Sequence, residues 1–494
     1  MVHVAVTVPS GSLKDRLRTL WTKADPVKAL HDYQQTLVVN ASRDPATALE
    51  QGRQLRALVR RAAGLRSRPP RTPKLDDGLQ ELEFLFANHQ MLRPAFDKPA
   101  GRRVLFVGQS YYNAWYLSRA LQGRGWMAEL LNWDTNPASQ IYYHGEDYRF
   151  TGNAKDEFAD NLAFFLKAIY AYDIYHFTGA HAICFGLLLQ KRMAERFGEH
   201  REIQLLKDLG KKIVYSNNGC LDGVSQTAFA SWGDVPVCSI CRWRNEPLVC
   251  SDARNLAWGR FRNSVADYQC LTGGNRVDYN LSPTVHEVPE FYCLNPEIWR
   301  PNLEIPDRFR LPPLPPNGVR LYHGIGNRSS RTDDEGVNIK CTHIYRPVIE
   351  RLRASGYLLD LLEPTDIPNR DLRYVQAQSD IFLDMLTYGF VGAMAREAMM
   401  LGKPVIAYVR PEWVESMRRE IPEYANEFPV VSATPETVES VLRDLIDHPE
   451  KRRAIGRRSR EFALKWHSDD AGARRFDQIY SRLLSGDSQL LEIA

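Results

Sequence analysis

The chain has 494 residues, of which 44% are hydrophobic and 25% are charged, and 64 Lys and Arg stand against 60 Asp and Glu. This composition is that of a globular protein long enough for two or three domains. The net charge of +4 is too small to argue for nucleic-acid binding by itself.

The N-terminal sequence and the cysteines predict the cellular compartment. "MVHVAVTVPSGSLKDR" lacks the basic start and apolar run of a signal peptide, and no window approaches 18 uncharged apolar residues. We therefore expect a cytoplasmic protein, whose cysteines are reduced or metal-bound rather than paired in disulfides. The eight cysteines are Cys184, Cys220, Cys238, Cys241, Cys250, Cys270, Cys293 and Cys341.

Residues 1–100 differ from the rest of the chain. "PATALEQGRQLRALVRRAAGLRSR" has helical spacing and many arginines, and the breaker run "SRPPRTPK" follows it. The pattern predicts a helical N-terminal extension. Its arginines could meet an acidic partner, but a solvated helix face is the simpler interpretation.

From residue 101 to 295, short apolar runs alternate with helical segments. The runs are "RRVLFVG", "MAELLNW", "DIYHFTG" and "KKIVYSNNG", with helices through "NAWYLSRALQGRG" and "KDEFADNLAFFLKAIYA" between them. Strands in this order predict a parallel sheet that is covered by helices on both faces.

A second series of the same kind extends from 319 to 465. Its strands are "VRLYHG", "YLLDLLE", "DIFLDML", "PVIAYV" and "FPVVSA". Residues 296–318 are rich in proline and predict a linker, and residues 466–494 predict a C-terminal helix that could cross back to the first domain. The predicted fold class is α/β, with two tandem Rossmann-like, doubly wound parallel-sheet domains after an α-helical extension.

The loop "TYGFVG" after "DIFLDML" is a candidate ligand site, because ligands of parallel sheets bind beyond the carboxyl ends of strands. Gly389 and Gly392 let the backbone approach a ligand, and the following helix start can face an anion. Glu397 in that helix could bind both hydroxyls of a ribose. A plain joint between a strand and a helix, with a solvated glutamate, remains the alternative.

"GFVGAMAREAMMLGKPVIAYV" resembles the donor-site signature of retaining glycosyltransferases of the GT-B fold, specifically family 4. "DIYHFTGAHA" and "IKCTHIYRPVIERL" are similar to further segments of that family, as is the terminal run "RRAIGRRSREFALKWHSDDAGARRFDQIYSRLL". The resemblance extends over most of residues 102–485. It implies a nucleotide-sugar-dependent transferase, with the acceptor domain first and the donor domain second.

The resemblance also implies roles for individual residues on the donor side. The implied phosphate-binding cations are Arg328 and Lys340, with Arg331 as a competing candidate. The implied donor-binding residues are Asn327, Gly389, Phe390, Val391, Gly392 and Glu397. Gly389 stands where the family usually has another glutamate, so the identity of the donor sugar stays open.

On the acceptor side, residues at strand ends of the first domain are candidates. Tyr111 and Tyr112 could stack on an acceptor, although tyrosines at strand ends are more often packing residues. His176, with His181 as the alternative, is the candidate active-site histidine, and a structural histidine is the commoner outcome for either. The remaining candidates on this side are Gly108, Thr178 and Asn218.

Four of the cysteines form a C-x(17)-C-x(2)-C-x(8)-C pattern within an insertion over 220–250. Cys220, Cys238, Cys241 and Cys250 could supply the four thiolates of a closed tetrahedral zinc site. An Fe–S cluster needs the same number of ligands, and four ordinary cysteines are the third interpretation.

The favoured function is that of a retaining hexosyltransferase that needs no cofactor for catalysis. Its partners would be a nucleotide-diphosphate sugar and an unknown acceptor, namely a glycan, a lipid-linked or a secondary-metabolite hydroxyl. No nucleic acid is expected, and contact with a membrane surface stays open, as does the oligomeric state. The alternatives are a non-catalytic nucleotide-sugar-binding module and a nucleotide-sugar epimerase of the same fold.

Overall fold

The computed structural model describes most of residues 101–486. Its gaps are 110, 133, 135–136, 151–157, 180–181, 184–186, 218–219, 221, 232–236, 248, 272–275, 327, 334 and 366, and it also describes residues 79, 82–83 and 85–90. The predicted extension over 1–100 therefore lies largely outside the described residues.

Seven parallel strands form the first sheet, in the order β3-β2-β1-β4-β5-β6-β7. In chain order they are Arg103–Val107 (β1), Met127–Asn132 (β2), Tyr148–Arg149 (β3), Ile174–Thr178 (β4), Lys212–Ser216 (β5), Tyr268–Leu271 (β6) and Val285–Glu287 (β7). The sequence predicts β1, β2, β4 and β5, whose apolar residues are buried. It misses β3, which has only two residues, and also β6 and β7, which carry polar residues that the fold buries, such as Gln269 and Glu287.

Five parallel strands form the second sheet, in the order β12-β11-β10-β8-β9. They are Val319–Tyr322 (β8), Leu359–Leu362 (β9), Ile381–Leu383 (β10), Val405–Ala407 (β11) and Val431–Ser432 (β12). All five come from the runs that the sequence predicts. The two tandem parallel sheets confirm the predicted fold class.

In chain order, the helices of the first half are Asn113–Gln122 (α1), Pro137–Gln140 (α2), Phe158–Ala171 (α3), Leu187–Phe197 (α4), Arg201–Asp208 (α5), Gln226–Ala230 (α6) and Asp252–Val265 (α7). Short 3₁₀ helices occupy Val237–Ile240, Asp278–Leu281, Pro289–Phe291 and Asp307–Phe309. Helix α3 belongs with residues 1–99 to one compact unit, and residues 100–157 and 172–494 form the other.

The helices of the second half are Arg328–Arg331 (α8), Thr342–Ala354 (α9), Asn369–Gln376 (α10), Ala393–Met400 (α11), Pro411–Glu420 (α12), Pro422–Glu427 (α13), Val438–Asp447 (α14), Pro449–His467 (α15) and Asp469–Ser485 (α16). Helix α11 ends where Gly402 takes a φ of 72°, the left-handed conformation typical of a glycine after a helix. No helix in the described part of the chain is long and apolar enough to cross a membrane.

The last helix, α16, packs against α1 beside the first sheet. The indole N–H of Trp126 donates a 2.8 Å hydrogen bond to Asp477, and the ring of Trp126 meets that of Tyr480 at 5.3 Å. One buried apolar cluster contains Phe106 of the first sheet and Phe382 of the second. The two sheets are thus joined by a shared core as well as by the chain.

Candidate functional site

A cavity of about 220 Å³ lies where loops of the two sheets meet. The strand order reverses between β1 and β4 and again between β8 and β10, and parallel sheets bind ligands at such reversals. Tyr111 and Tyr142 line the cavity from the first half, and the loops after β8 and β10 line it from the second. The loop "TYGFVG" and the loop after β8, which leads to Arg331 and Lys340, therefore open on one space.

Lys340 forms a buried ion pair at the floor of this cavity. Its Nζ lies 2.6 Å from Oδ1 of Asp384, whose side chain is fully buried, and the N–H of Gly392 donates to Oδ2 of the same carboxylate at 3.2 Å. Burial alone would raise the pKa of Asp384, but the Lys340 ammonium and these hydrogen bonds outweigh it and lower that pKa. The ammonium is thereby held beside the N-terminus of α11, where an anion would bind.

Of the two candidate arginines, Arg331 lines the cavity and Arg328 does not. The guanidinium of Arg331 donates to the carbonyl of Ile325 at 2.9 Å and to the hydroxyl of Tyr111 at 3.1 Å. Arg328 lies 3.6 Å from Glu363, with 43% of its side chain exposed. The two arginines begin and end the single turn of α8, and their side chains have different partners.

Glu397 is buried in the cavity wall, and three side chains donate hydrogen bonds to its carboxylate. Tyr112 and Asn369 donate to Oε1, each at 2.8 Å, and Gln376 donates to Oε2 at 2.7 Å. Burial raises the pKa of Glu397, although the three hydrogen bonds and Lys340 oppose that shift. The Tyr112 bond links the first half of the chain to the second.

Asn369 connects Glu397 to a buried histidine of the first half. His144 Nε2 lies 2.9 Å from Asn369 Oδ1, and His144 Nδ1 lies 2.7 Å from the hydroxyl of Tyr116. Burial lowers the pKa of His144 to about 4, so the ring is neutral at pH 7. Because the amide of Asn369 donates to Glu397, its oxygen is left to accept from Nε2–H of His144.

Gly389 adopts a φ of +98°, a conformation that L side chains rarely adopt. A Cβ at this position would lie 2.5 Å from Nε of Arg410, which is itself buried. The chain therefore has no room for a side chain here, and Arg410 occupies the space beside the loop. Phe390 and Val391 continue the loop along the cavity wall.

The acceptor-side candidates lie in the turns after β1 and β4. The hydroxyl of Thr178 donates to the carbonyl of Gly108 at 2.6 Å, so these two residues tie the turns together. Tyr111 reaches the cavity, and Tyr112 is buried against Glu397. Asn218, Asn327 and His181 lie outside the described residues.

His176 is buried in the core and does not line the cavity. Nδ1 lies 2.6 Å from the hydroxyl of Tyr480, and Nε2 lies 2.7 Å from that of Ser216. Burial lowers the pKa of His176 to about 3.

We expect His176→Gln to flatten the dependence of stability on pH. In the unfolded chain His176 gains its proton near pH 6.5, whereas in the folded protein it does so only near pH 3. The wild type therefore loses stability from this group as the pH falls, by roughly 2 kcal/mol between pH 7 and pH 5. Denaturant unfolding at both pH values measures the difference, and equal losses in variant and wild type would contradict it.

The four cysteines of the insertion are near neighbours. Burial raises the pKa of Cys220 to about 12, with smaller contributions from the thiols of Cys241, Cys238 and Cys250. The N–H of Cys241 donates to the carbonyl of Cys238 at 3.3 Å, which closes the C-x-x-C turn. Among the described residues, no group of three or more His, Cys, Asp or Glu side chains is arranged to hold a metal ion.

Sequence reasoning misses three residues of this site, Asp384, Asn369 and Gln376. Asp384 follows β10 directly, and a charged residue at the end of a buried strand is a signal that could have found it. Asn369 and Gln376 open and close α10, a helix with no recognised motif. Their contacts to Glu397 depend on packing between helices that are distant in sequence.

No protein-family model matches the chain, and no curated protein matches it in sequence. Solved structures do match in fold. Sucrose-phosphate synthase from Thermosynechococcus elongatus is 15% identical, over 78% of this chain and 100% of that one, with a TM-score of 0.44.

Two further solved structures match with similar identity, coverage and TM-score. The Anabaena protein HepE in complex with UDP-glucose is 12% identical over 77% of this chain and 99% of that one, with a TM-score of 0.44. The catalytic domain of starch synthase IV from Arabidopsis thaliana, bound to ADP and acarbose, is 11% identical over 78% and 100%, with a TM-score of 0.43. All three are distant likenesses.

Proposed function

We propose that this protein is a retaining glycosyltransferase that takes a sugar from a nucleotide-diphosphate donor. The observation that carries the proposal is the position of Lys340 and Arg331, two cations that line one cavity at the start of α11. The Nζ of Lys340 would be 3.5 Å from a Cβ placed on Gly392, the residue before that helix. A helix N-terminus with two cations is a site for a diphosphate, which would share Lys340 with Asp384.

Glu397 is the proposed partner of the donor ribose. A carboxylate offers about four lone-pair positions, and Tyr112, Asn369 and Gln376 use three of them. A ribose hydroxyl would either take the fourth or displace Tyr112, which comes from the other half of the chain. Binding of the nucleotide would thus act on the contact between the two halves.

The proposed mechanism relies on two side chains that are positively charged before the reaction begins. As the bond from the sugar to the phosphate breaks, negative charge develops on the diphosphate, and Arg331 and Lys340 stabilise it. The acceptor hydroxyl attacks the same face of the sugar that the diphosphate leaves. The side chains that bind the acceptor would come from the turn that contains Tyr111.

The test is a panel of UDP-, GDP-, ADP- and dTDP-sugars in thermal-shift and binding measurements. At least one donor should raise the melting temperature of the wild type. Arg331→Ala should make that shift much smaller and Arg328→Ala should keep it, because only Arg331 lines the cavity. If no member of the panel stabilises the wild type, the proposal falls.

Activity separates the transferase from its two alternatives. A transferase releases the nucleoside diphosphate from its donor, slowly to water and faster when the acceptor is present. An epimerase converts the donor into another nucleotide sugar with no release, and a binding module leaves it unchanged. Chromatography of the nucleotide products distinguishes the three outcomes.

We also propose, from the spacing of the four cysteines and not from their arrangement in the structure, that the insertion binds one structural metal ion, with zinc favoured over an Fe–S cluster. Soft thiolates in a C-x-x-C turn with two further cysteines suit zinc. Cys220 and Cys238 pack against a small cluster that includes Tyr388 of the donor loop, so the metal would support that loop. Protein purified without chelator should contain about one metal per chain, and less than about 0.2 would refute the site.

A further inference from the structure

Tyr111 stands in an unusual conformation in the turn after β1. Its φ is 57°, in the left-handed region that residues other than glycine rarely occupy, and Gly108 three residues earlier has a φ of 84°. Such conformations persist where the surroundings hold them, and they gather at functional sites. Here the strained turn directs the phenol of Tyr111 into the cavity.

Two contacts fix the position of this phenol. The guanidinium of Arg331 donates to its hydroxyl oxygen at 3.1 Å, and its ring meets the ring of Tyr142 edge-on, with centroids 5.3 Å apart. Arg331 is held in turn by the carbonyl of Ile325. Because the oxygen accepts from Arg331, the hydroxyl hydrogen of Tyr111 is left to donate to a molecule in the cavity.

The charges around Tyr111 make that hydrogen a strong donor. The Arg331 guanidinium lowers the pKa of the Tyr111 phenol, burial opposes this, and the Lys340 ammonium lowers it further. Glu397 acts in the opposite direction, with a smaller effect. A more acidic phenol forms a stronger hydrogen bond to an anion.

We propose that Tyr111 is a catalytic residue that donates its phenolic hydrogen bond to the terminal phosphate of the departing nucleoside diphosphate. The inference rests on the proposed function. When the bond from the sugar carbon to the phosphate oxygen breaks, both electrons stay on that oxygen, and Tyr111 stabilises them while keeping its proton. The acceptor oxygen forms the new bond to the sugar, and its proton passes to the phosphate.

The test compares nucleoside diphosphates with monophosphates in Tyr111→Phe, which keeps the ring and removes the hydroxyl. UDP, GDP, ADP and dTDP are each measured against the matching monophosphate by titration calorimetry. We expect the variant to bind the diphosphate about 10- to 100-fold more weakly, as for loss of a hydrogen bond to a charged group, and to bind the monophosphate equally well. Tyr357→Phe, which removes an exposed hydroxyl that donates to Asp447, should change neither affinity.

A double variant tests whether Tyr111 acts directly or only by positioning Arg331. In an Arg331→Ala background, Tyr111→Phe should still weaken diphosphate binding relative to Arg331→Ala alone. No further loss in that background, or equal losses for mono- and diphosphate, would overturn the inference and leave the proposed function standing. If the wild type binds no nucleoside diphosphate at all, that result contradicts both the proposed function and the role of Tyr111.

Discussion

Lys340→Met is expected to lower the free energy of unfolding by roughly 3–5 kcal/mol at neutral pH and to remove binding of nucleotide sugars. The variant leaves the carboxylate of Asp384, which is fully buried, without its counter-ion. The remaining hydrogen bond from Gly392 cannot compensate for a buried charge. Denaturant unfolding measures the first effect, and the thermal-shift panel measures the second.

The chain offers a matched control for this ion pair. Lys451 Nζ also lies 2.6 Å from an aspartate, Asp444, but the two side chains are 52% and 41% exposed. Lys451→Met should therefore cost at most about 1 kcal/mol. At acidic pH the loss in Lys340→Met should become smaller, because Asp384 can take up a proton once its cation is gone. If Lys340→Met and Lys451→Met lost similar free energies of unfolding at pH 7, burial would not decide the strength of such an ion pair.

Glu397→Ala is the second variant with a large expected effect. It removes the acceptor of three buried donors, so we expect at least about 3 kcal/mol of destabilisation and no shift with any nucleotide sugar. The exposed Glu415, whose carboxylate contacts Arg418, provides the control, since Glu415→Ala should stay within about 0.5 kcal/mol of the wild type. A fully stable Glu397→Ala protein would show that water replaces the carboxylate at no cost.

The substitution Glu397→Gln tests the pKa of the same group. The folded pKa of Glu397 lies above its unfolded value, so its contribution to stability is complete below the unfolded pKa and is lost as the pH rises through the folded one. Glutamine does not titrate. The variant should therefore gain stability relative to the wild type as the pH rises from acidic values towards neutrality, and a constant difference would contradict the raised pKa.

The amino-acid sequence determined the strands that are buried on both faces and the helices between them. Runs such as "RRVLFVG" and "DIFLDML" became β1 and β10, because continuous apolar segments of this length have to be buried in a parallel sheet. It did not reveal β6 and β7, where Gln269 and Glu287 are buried. Their polar groups are bonded by side chains from elsewhere, such as Thr284 and Ser416.

The sequence also indicated where a ligand would bind, since a loop after a parallel strand lies at the carboxyl edge of its sheet. It could not choose between Arg328 and Arg331, because the two are only three residues apart and spacing along the chain does not say which side chain reaches the cavity. Only the tertiary structure placed Arg331 beside Tyr111 and exposed Arg328 to solvent.

The partners of the charged residues were decided by tertiary structure alone. Lys340 and Glu397 are recognisable in the sequence, but Asp384 and Asn369, which hold them, lie 44 and 28 residues away along the chain. A buried charge needs a counter-ion or hydrogen-bond partners. The sequence indicates that Lys340 and Glu397 need such partners, but not which residues supply them. Packing of the two sheets supplies those partners, including Tyr112 from the other half of the chain.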